Sequence, residues 1–148
     1  MNTVPMKMCS VYLLSTDDSI LITGTDYEIT GPGGLDSGFV SRISKDAVDS
    51  LLGLLTIHTL NQTKMINGKF WDEKNREKVL NIAGVKSNRA FVSKARCVIV
   101  LWKDNKIKVL PTKRDGAGHS VLDELSAISE PEPETLRDVL LAKLQDCQ

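Results

Sequence analysis

The stretch that most constrains this chain is CVIVLW (97–102), followed by Lys103-Asp104-Asn105 and then KIKVLP (106–111). Two runs rich in β-branched and apolar residues around a short polar break predict an antiparallel hairpin. In the second run Ile107, Val109 and Pro111 alternate with Lys106, Lys108 and Leu110. Period-two alternation of this kind buries one face and leaves the other partly wet. A second hairpin is predicted near the start of the chain, where SVYLL (10–14) and SILIT (19–23) flank the turn-forming residues Ser15-Thr16-Asp17-Asp18.

Helical periodicity appears between and after these strands. Ser44 is a candidate N-cap, and Ala47, Val48, Leu51, Leu52, Leu54 and Leu55 recur at three-and-four spacing, predicting a helix over 45–60 whose apolar stripe faces the core. Asp72 is positioned to cap a helix over 73–83, and Gly84 to stop it in a left-handed conformation. Residues 85–92 predict a short helical turn. Residues 112–120 read as loop, and 120–128 as an edge strand or irregular segment. Glu130-Pro131-Glu132-Pro133-Glu134 breaks what precedes it, and Pro133 suits the first turn of a closing helix with Leu136, Val139, Leu140 and Leu144 inward. Interspersed hairpins and helices predict an α+β fold, a mostly antiparallel sheet packed with about three helices. The 148 residues are read as one domain, 1–148, large enough for a single core without disulfides or metal.

Composition then narrows the function. No stretch approaches eighteen apolar residues and the N-terminal apolar run is short, so the expectation is a cytoplasmic protein with no membrane contact. Cys9, Cys97 and Cys147 form no CxxC pair, and the nearest of them to a histidine, Cys97 and His119, are 22 residues apart; neither a metal nor a cofactor is expected. The Gly31-Pro32-Gly33-Gly34 segment lacks both the Lys-Ser/Thr ending of a phosphate loop and the GxGxxG spacing of a dinucleotide fold, and reads as a turn. His58 and His119 could in principle act as base and acid of a ribonuclease, but no nucleophile or carboxylate constellation accompanies them, so no catalytic residues are expected.

The charge is balanced overall and divided along the chain. Residues 64–114 hold fourteen basic and four acidic side chains, and the remainder five basic and fifteen acidic. The basic centre, with Phe70, Trp71 and Phe91 available for stacking, allows a nucleic-acid-binding reading, although no RNA-binding signature is present and direct contact with nucleic acid is not expected. The acidic remainder allows a protein that binds another protein.

The order of residues in the second half bears on that choice. Gly84, Lys86, Arg89, Ala90, Cys97, Pro111, Thr112 and Cys147, within GVKSNRAFVSKARCVIVLWKDNKIKVLPTKRD (84–115) and PEPETLRDVLLAKLQDC (131–147), resemble the immunity proteins of bacterial contact-dependent growth inhibition. The pattern departs from that family at Val85, where an aromatic is usual, at Phe91, where Leu is usual, and in lacking a Trp-containing loop after Pro-Thr. The resemblance implies a cytosolic antidote that binds the toxic C-terminal domain of a large exoprotein. Such domains are often nucleases with basic clefts, which an acidic surface complements. Acids on loop-like segments are best placed to meet one: Asp115, Asp123, Glu124, Glu130 and Glu132, then Asp17 and Asp18 in the first turn.

Overall fold

Residues 97–111 pair as their alternation requires, and the rest of the sheet is built outward from them. The computed structural model describes residues 6–28, 34–66, 73–116 and 118–148. Ile29, residues 31–33 of the Gly/Pro segment, Phe70, Trp71 and the expected cap Asp72 lie outside these. The strands are β1 (Lys7–Leu14), β2 (Ile20–Glu28), β3 (Gly34–Ile43), β4 (Met65–Ile66), β5 (Ala95–Lys103), β6 (Lys106–Asp115), β7 (Gly118–Val121) and β8 (Ala127–Ser129). The helices are α1 (Val48–Asn61), α2 (Glu73–Ala83), α3 (Asn88–Lys94) and α4 (Pro133–Gln145). The fold is α+β, with four helices among the described residues where about three were expected. The addition is α3, which replaces the predicted single turn because the Ser87 side chain caps it, accepting from the Ala90 N–H at 3.1 Å.

The sheet order is β3-β2-β1-β5-β6-β7, with β8 beside β6 and β4 parallel to the end of β2. It joins two antiparallel meanders. One is β1-β2-β3; the other is β5-β6 with β7 and β8 sharing the outer edge of β6. Their seam is the antiparallel pairing of β1 with β5, from Lys7 opposite Trp102 to Leu14 opposite Ala95. The β5–β6 turn is tight because Asp104 and Asn105 both take left-handed backbone angles, φ 54° and 63°, the geometry of a two-residue hairpin turn. Residues 112–120 are not loop. Thr112–Asp115 pair with Gly118–Val121 across a turn in which Gly116 has φ +62°. The turn-like composition of Lys-Arg-Asp-Gly describes that bend and hides the ladder on either side of it.

Side chains alternate across the sheet and build two cores. On one face Cys9, Val11, Ile20, Ile22, Val98, Val100, Ile107 and Val109 meet Leu52 and Leu60 of α1 and Leu136, Leu140 and Leu144 of α4. On the other, Tyr12, Leu14, Leu21, Ala95 and Cys97 meet Val79 and Ala83 of α2 and Phe91 of α3. Helix α2 stops at Gly84, φ +77°, as its sequence requires.

Helix α1 differs from expectation. A 3₁₀ turn, Lys45–Ala47, precedes it, and Ser44 makes no side-chain cap bond there. The inward stripe is Leu52, Gly53, Thr56, Thr59 and Leu60, while Leu51 and Leu54 are exposed. At about 100° per residue Leu54 lies on the side opposite Leu52, so one stripe cannot hold both. The threonines are buried without loss because Thr56 Oγ1 donates to the Leu52 carbonyl at 2.7 Å and Thr59 Oγ1 to that of Leu55 at 2.6 Å. Gly53 sets the contact between helices: a Cβ there would lie 1.9 Å from the Pro133 carbonyl oxygen of α4.

Candidate protein-binding surface and a charged cleft

The seven acids singled out in the sequence fall into three places. Asp123 and Glu124 form a 3₁₀ turn (Asp123–Leu125) after β7, Glu130 follows β8, and Glu132 stands at the start of α4. Along the same segment Val121, Leu125 and Ile128 are exposed, Ile128 by 58%. Residues 121–132 therefore carry acids and apolar side chains together on the outer edge of the sheet. Asp115 ends β6 on the neighbouring turn and accepts from Ser120 Oγ. Asp17 and Asp18 belong to the β1–β2 turn, where Asp17 lies 2.9 Å from Arg42 Nη2. Hydrogen bonds from the Ser19 side chain and backbone, with Arg42 adding to them, hold the Asp17 carboxyl below its ordinary range.

Several of these acids are partnered where the sequence suggested loose loop charge. Asp123 pairs with Lys108 at 3.1 Å, and Glu130 with Lys106. Lys106 and Lys108 project from the same face of β6, and the register that sets Ile107 against Ser129 and Lys108 against Ile128 brings their partners alongside. Glu132 accepts from Thr135 Oγ1 at 2.7 Å. Glu124 makes no ion pair with another described residue. Exposed pairs of this kind contribute about 0–1 kcal/mol each and exchange readily for an incoming charge.

Glu132 also lines a cleft of about 560 Å³ between the starts of α1 and α4, with Asp49, Ser50, Leu54, Pro133, Glu134 and Arg137 among its walls. The cleft opens where Gly53 lets α1 approach Pro133. It extends the acidic and apolar segment from Val121 to Glu134, and exposed Leu54 adds to it.

A second cleft, of about 170 Å³, lies on the α2/α3 face. Its inner wall is Tyr12, Phe91, Val92, Cys97 and Ile99; Arg76 enters from α2, and Asn88, Gly118 and His119 complete it. His119 Nε2 lies 3.3 Å from the Ala95 carbonyl, and its ring centre 6.1 Å from that of Tyr12. Burial pushes the His119 imidazole below its ordinary value, Arg114 and Arg76 add to this, and the Ala95 carbonyl opposes them. Arg76 was not singled out in the sequence. The available signal was its spacing: Arg76, Val79 and Ala83 share the inward stripe of α2, so a charge occupies a position where periodicity calls for an apolar residue.

The residues considered for catalysis do not converge. His58 is exposed on α1, with its ring edge-on to Phe39 at 5.4 Å, while His119 belongs to the opposite face of the sheet. Cys9, Cys97 and Cys147 are buried, and burial raises all three thiols, keeping them protonated; the Cys147 thiol donates to the Cys97 carbonyl at 3.1 Å. Among the described residues no three His, Cys, Asp or Glu side chains gather where they could hold a metal ion, and no helix is long and apolar enough to cross a membrane. Phe91 is buried, 2% exposed, and packs on Tyr12 with ring centres 4.6 Å apart, so it cannot offer a stacking surface to a base; Phe70 and Trp71 lie outside the described residues.

No protein-family model matches the chain, and no curated protein does. Two solved structures share the fold from end to end. A protein of unknown function, NMB0488 from Neisseria meningitidis, superposes with a TM-score of 0.76 at 14% identity, over 100% of this chain and 99% of that one. A chain of the CdiA-CT/CdiI toxin and immunity complex from Yersinia pseudotuberculosis superposes with a TM-score of 0.75 at 15% identity, over 99% of this chain and 100% of that one.

Proposed function

We propose that this chain is an immunity protein: it binds the toxic C-terminal domain of a contact-dependent growth inhibition exoprotein and neutralises it stoichiometrically. The observation that carries this reading is the end-to-end likeness of fold to a chain of a toxin and immunity complex. It coincides with the family whose residue order the segment 84–147 resembles. Residue order and backbone fold are different properties of the chain, and both point to the same reading. The reading needs a complementary surface and no reaction, so the protein is not an enzyme and uses no cofactor; it acts in the cytoplasm.

The proposed surface is the segment Val121–Glu134. Val121, Leu125 and Ile128 supply apolar area to remove from water, at roughly 25 cal/mol per Å². Asp123, Glu124, Glu130 and Glu132 supply the charge that attracts a domain with a phosphate-binding cleft, so a nuclease is the proposed partner class. Asp115 flanks this segment and completes the acidic field. Asp17 and Asp18 stand in the β1–β2 turn, outside the segment, and form a secondary contact at most.

The test is co-expression with the C-terminal domain of the exoprotein encoded immediately upstream. The protein should restore growth and purify with that domain in a one-to-one complex; no rescue and no complex would sink the reading. Replacing Asp123, Glu124 and Glu130 together by Lys should slow association about tenfold or more, with wild-type association falling as salt rises. Unchanged kinetics in the folded triple variant would remove the Val121–Glu134 surface and leave the immunity role standing.

A further inference from the structure

Two arginines face one cleft at the open end of the sheet, and neither is ion-paired to an acid among the described residues. The β5–β6 ladder ends at Val98 opposite Pro111. Beyond it Thr112 and Arg114 turn to Gln148: the Thr112 carbonyl accepts from the Gln148 N–H, and the Arg114 N–H donates to the Gln148 carbonyl, each at 3.0 Å. Arg96 stands on the β5 side of this fork and Arg114 on the β6 side. Both line a cleft of about 400 Å³, with Leu13, Ser15, Asp18 and Gln145 as its other walls. Arg96 lies opposite Leu13 in the β1–β5 register, so its neighbour across the strands is apolar.

The two guanidiniums are held differently. Arg114 Nε donates to the Val92 carbonyl at 2.9 Å, which fixes the side chain against the end of α3 and leaves Nη1 and Nη2 without a partner among the described residues. Arg96 is exposed and makes no hydrogen bond to another described side chain. Asp18 is the one acid of the cleft, and it lies outside ion-pair range of both arginines. The rim adds charge of the same sign. Ser15 N–H donates to the Lys94 carbonyl at 2.8 Å, which brings the basic end of α3 beside the cleft. From Gly84 to Lys103 the chain has no acidic residue, and Lys94 and Lys113 are exposed and form no ion pair among the described residues. Like charges drawn into one recess raise its potential, and an anion entering it relieves their repulsion.

We infer that the cleft at the open end of β5 and β6 is a binding site for a phosphate group, held between the guanidiniums of Arg96 and Arg114. Each guanidinium presents a planar set of donors, and two of them reached from different strands match the several oxygens of a tetrahedral anion. A carboxylate offers one plane and one charge, so a single arginine satisfies it and the second is left over. The Ser15 hydroxyl and the Gln145 amide are further donors on the same walls. The space exceeds what a phosphate alone fills and admits the group esterified to it. The phosphate comes either from a small phosphate ester or from the backbone of a nucleic acid, whose neighbouring phosphates Lys94 and Lys113 would meet. This site does not depend on the partner proposed above.

The experiment is a nuclear magnetic resonance titration of the whole protein with sodium phosphate at fixed neutral pH, against sodium chloride at matched ionic strength, observing the N–H signals of Ser15, Arg96 and Arg114. Phosphate should shift them saturably in the millimolar range, and sodium acetate should bind about fivefold more weakly or less. Arg96→Gln removes an exposed side chain with no internal hydrogen bond and should weaken phosphate about tenfold or more. Should that variant fail to fold, Arg96→Lys keeps the charge without the fork and should weaken phosphate about threefold or more. Asp18→Asn removes the opposing charge and should tighten binding about twofold or more. Lys103→Gln, an equal loss of charge at the other end of β5, should leave it unchanged. A parallel titration with a short oligothymidylate distinguishes the sources. Binding about tenfold tighter than phosphate or more, weakened when Lys94 and Lys113 are both replaced by Gln, assigns the phosphate to a nucleic-acid backbone; a smaller gain assigns it to a small ester. Shifts that rise linearly and match those with chloride, or that persist in Arg96→Gln, would overturn the inference.

Discussion

The two faces of the sheet are built to different rules. The α1/α4 face is filled mainly with aliphatic side chains, and Gly53 there brings backbone against backbone. The α2/α3 face mixes Phe91 and Val79 with Tyr12, Cys97, His119, Arg76 and Asp36; its cleft reaches these buried polar groups, whereas the cleft of the α1/α4 side lies at the helix starts. A close-packed apolar layer gains stability from each methylene but offers nothing that discriminates a ligand. A layer with buried polar groups gives up stability and acquires a site whose charge and shape are fixed beforehand. In this protein the division follows the sheet.

That division can be broken most severely at Leu140, which is fully buried between α4 and the sheet. Leu140→Ala should lower unfolding free energy by about 2–5 kcal/mol, read from urea midpoints. A loss under 1 kcal/mol would mean that the α1/α4 face is not the close-packed half. Gly53→Ala comes next. Helix propensity alone would make this change favourable by about 1 kcal/mol. The added Cβ would meet a backbone oxygen at 1.9 Å, which cannot rotate away, so the net effect should be destabilising by about 1–3 kcal/mol. A stabilised variant would show that the two helices are not in contact there.

The smallest effect belongs to the other face and is read in pH. His119 is depressed by burial, so the folded protein resists protonating it and the unfolded chain does not. Its stability contribution is complete above the ordinary histidine value of about 6.5 and is lost as pH falls through the folded value. Asp36, raised by burial, acts with the opposite sign and in the carboxylate range. Melting temperature should therefore fall on acidification from pH 7.5 to 5.5, and His119→Asn should flatten that slope. An unchanged slope in the variant would place the pH sensitivity elsewhere.

What the sequence disclosed depended on whether the relevant interaction is local. The β1–β2 and β5–β6 hairpins, the stop at Gly84 and the inward stripe of α4 are each decided within about a dozen residues, and each was legible. The third hairpin was not, because the polar residues from Thr112 to Ser120 read as loop until β6 is known to need an edge partner. In α1 the leucines outnumber the places available on one stripe, and only the approach of Pro133 to Gly53 decides which of them face outward. The candidate acids were chosen from the sequence as loop charge, and the pairing of Asp123 with Lys108 and Glu130 with Lys106 depends on the β6–β8 register. Arg76 carried a local signal in its spacing with Val79 and Ala83, but its ion pair with Asp36 depends on the packing of α2 against β3.

The seam between β1 and β5 has a consequence in time. Each meander pairs neighbours in sequence, but the seam joins residues 7–14 to residues 95–103. Short hairpins close in microseconds, whereas closing a loop of this length carries an entropy cost that must be met before its contacts reward it. The seam is therefore the costliest pairing of the sheet to close, and the hairpins on either side of it can close without it. Until the seam closes, β1 and β5 each present an unpaired strand edge, the surface through which two copies exchange halves or begin to aggregate.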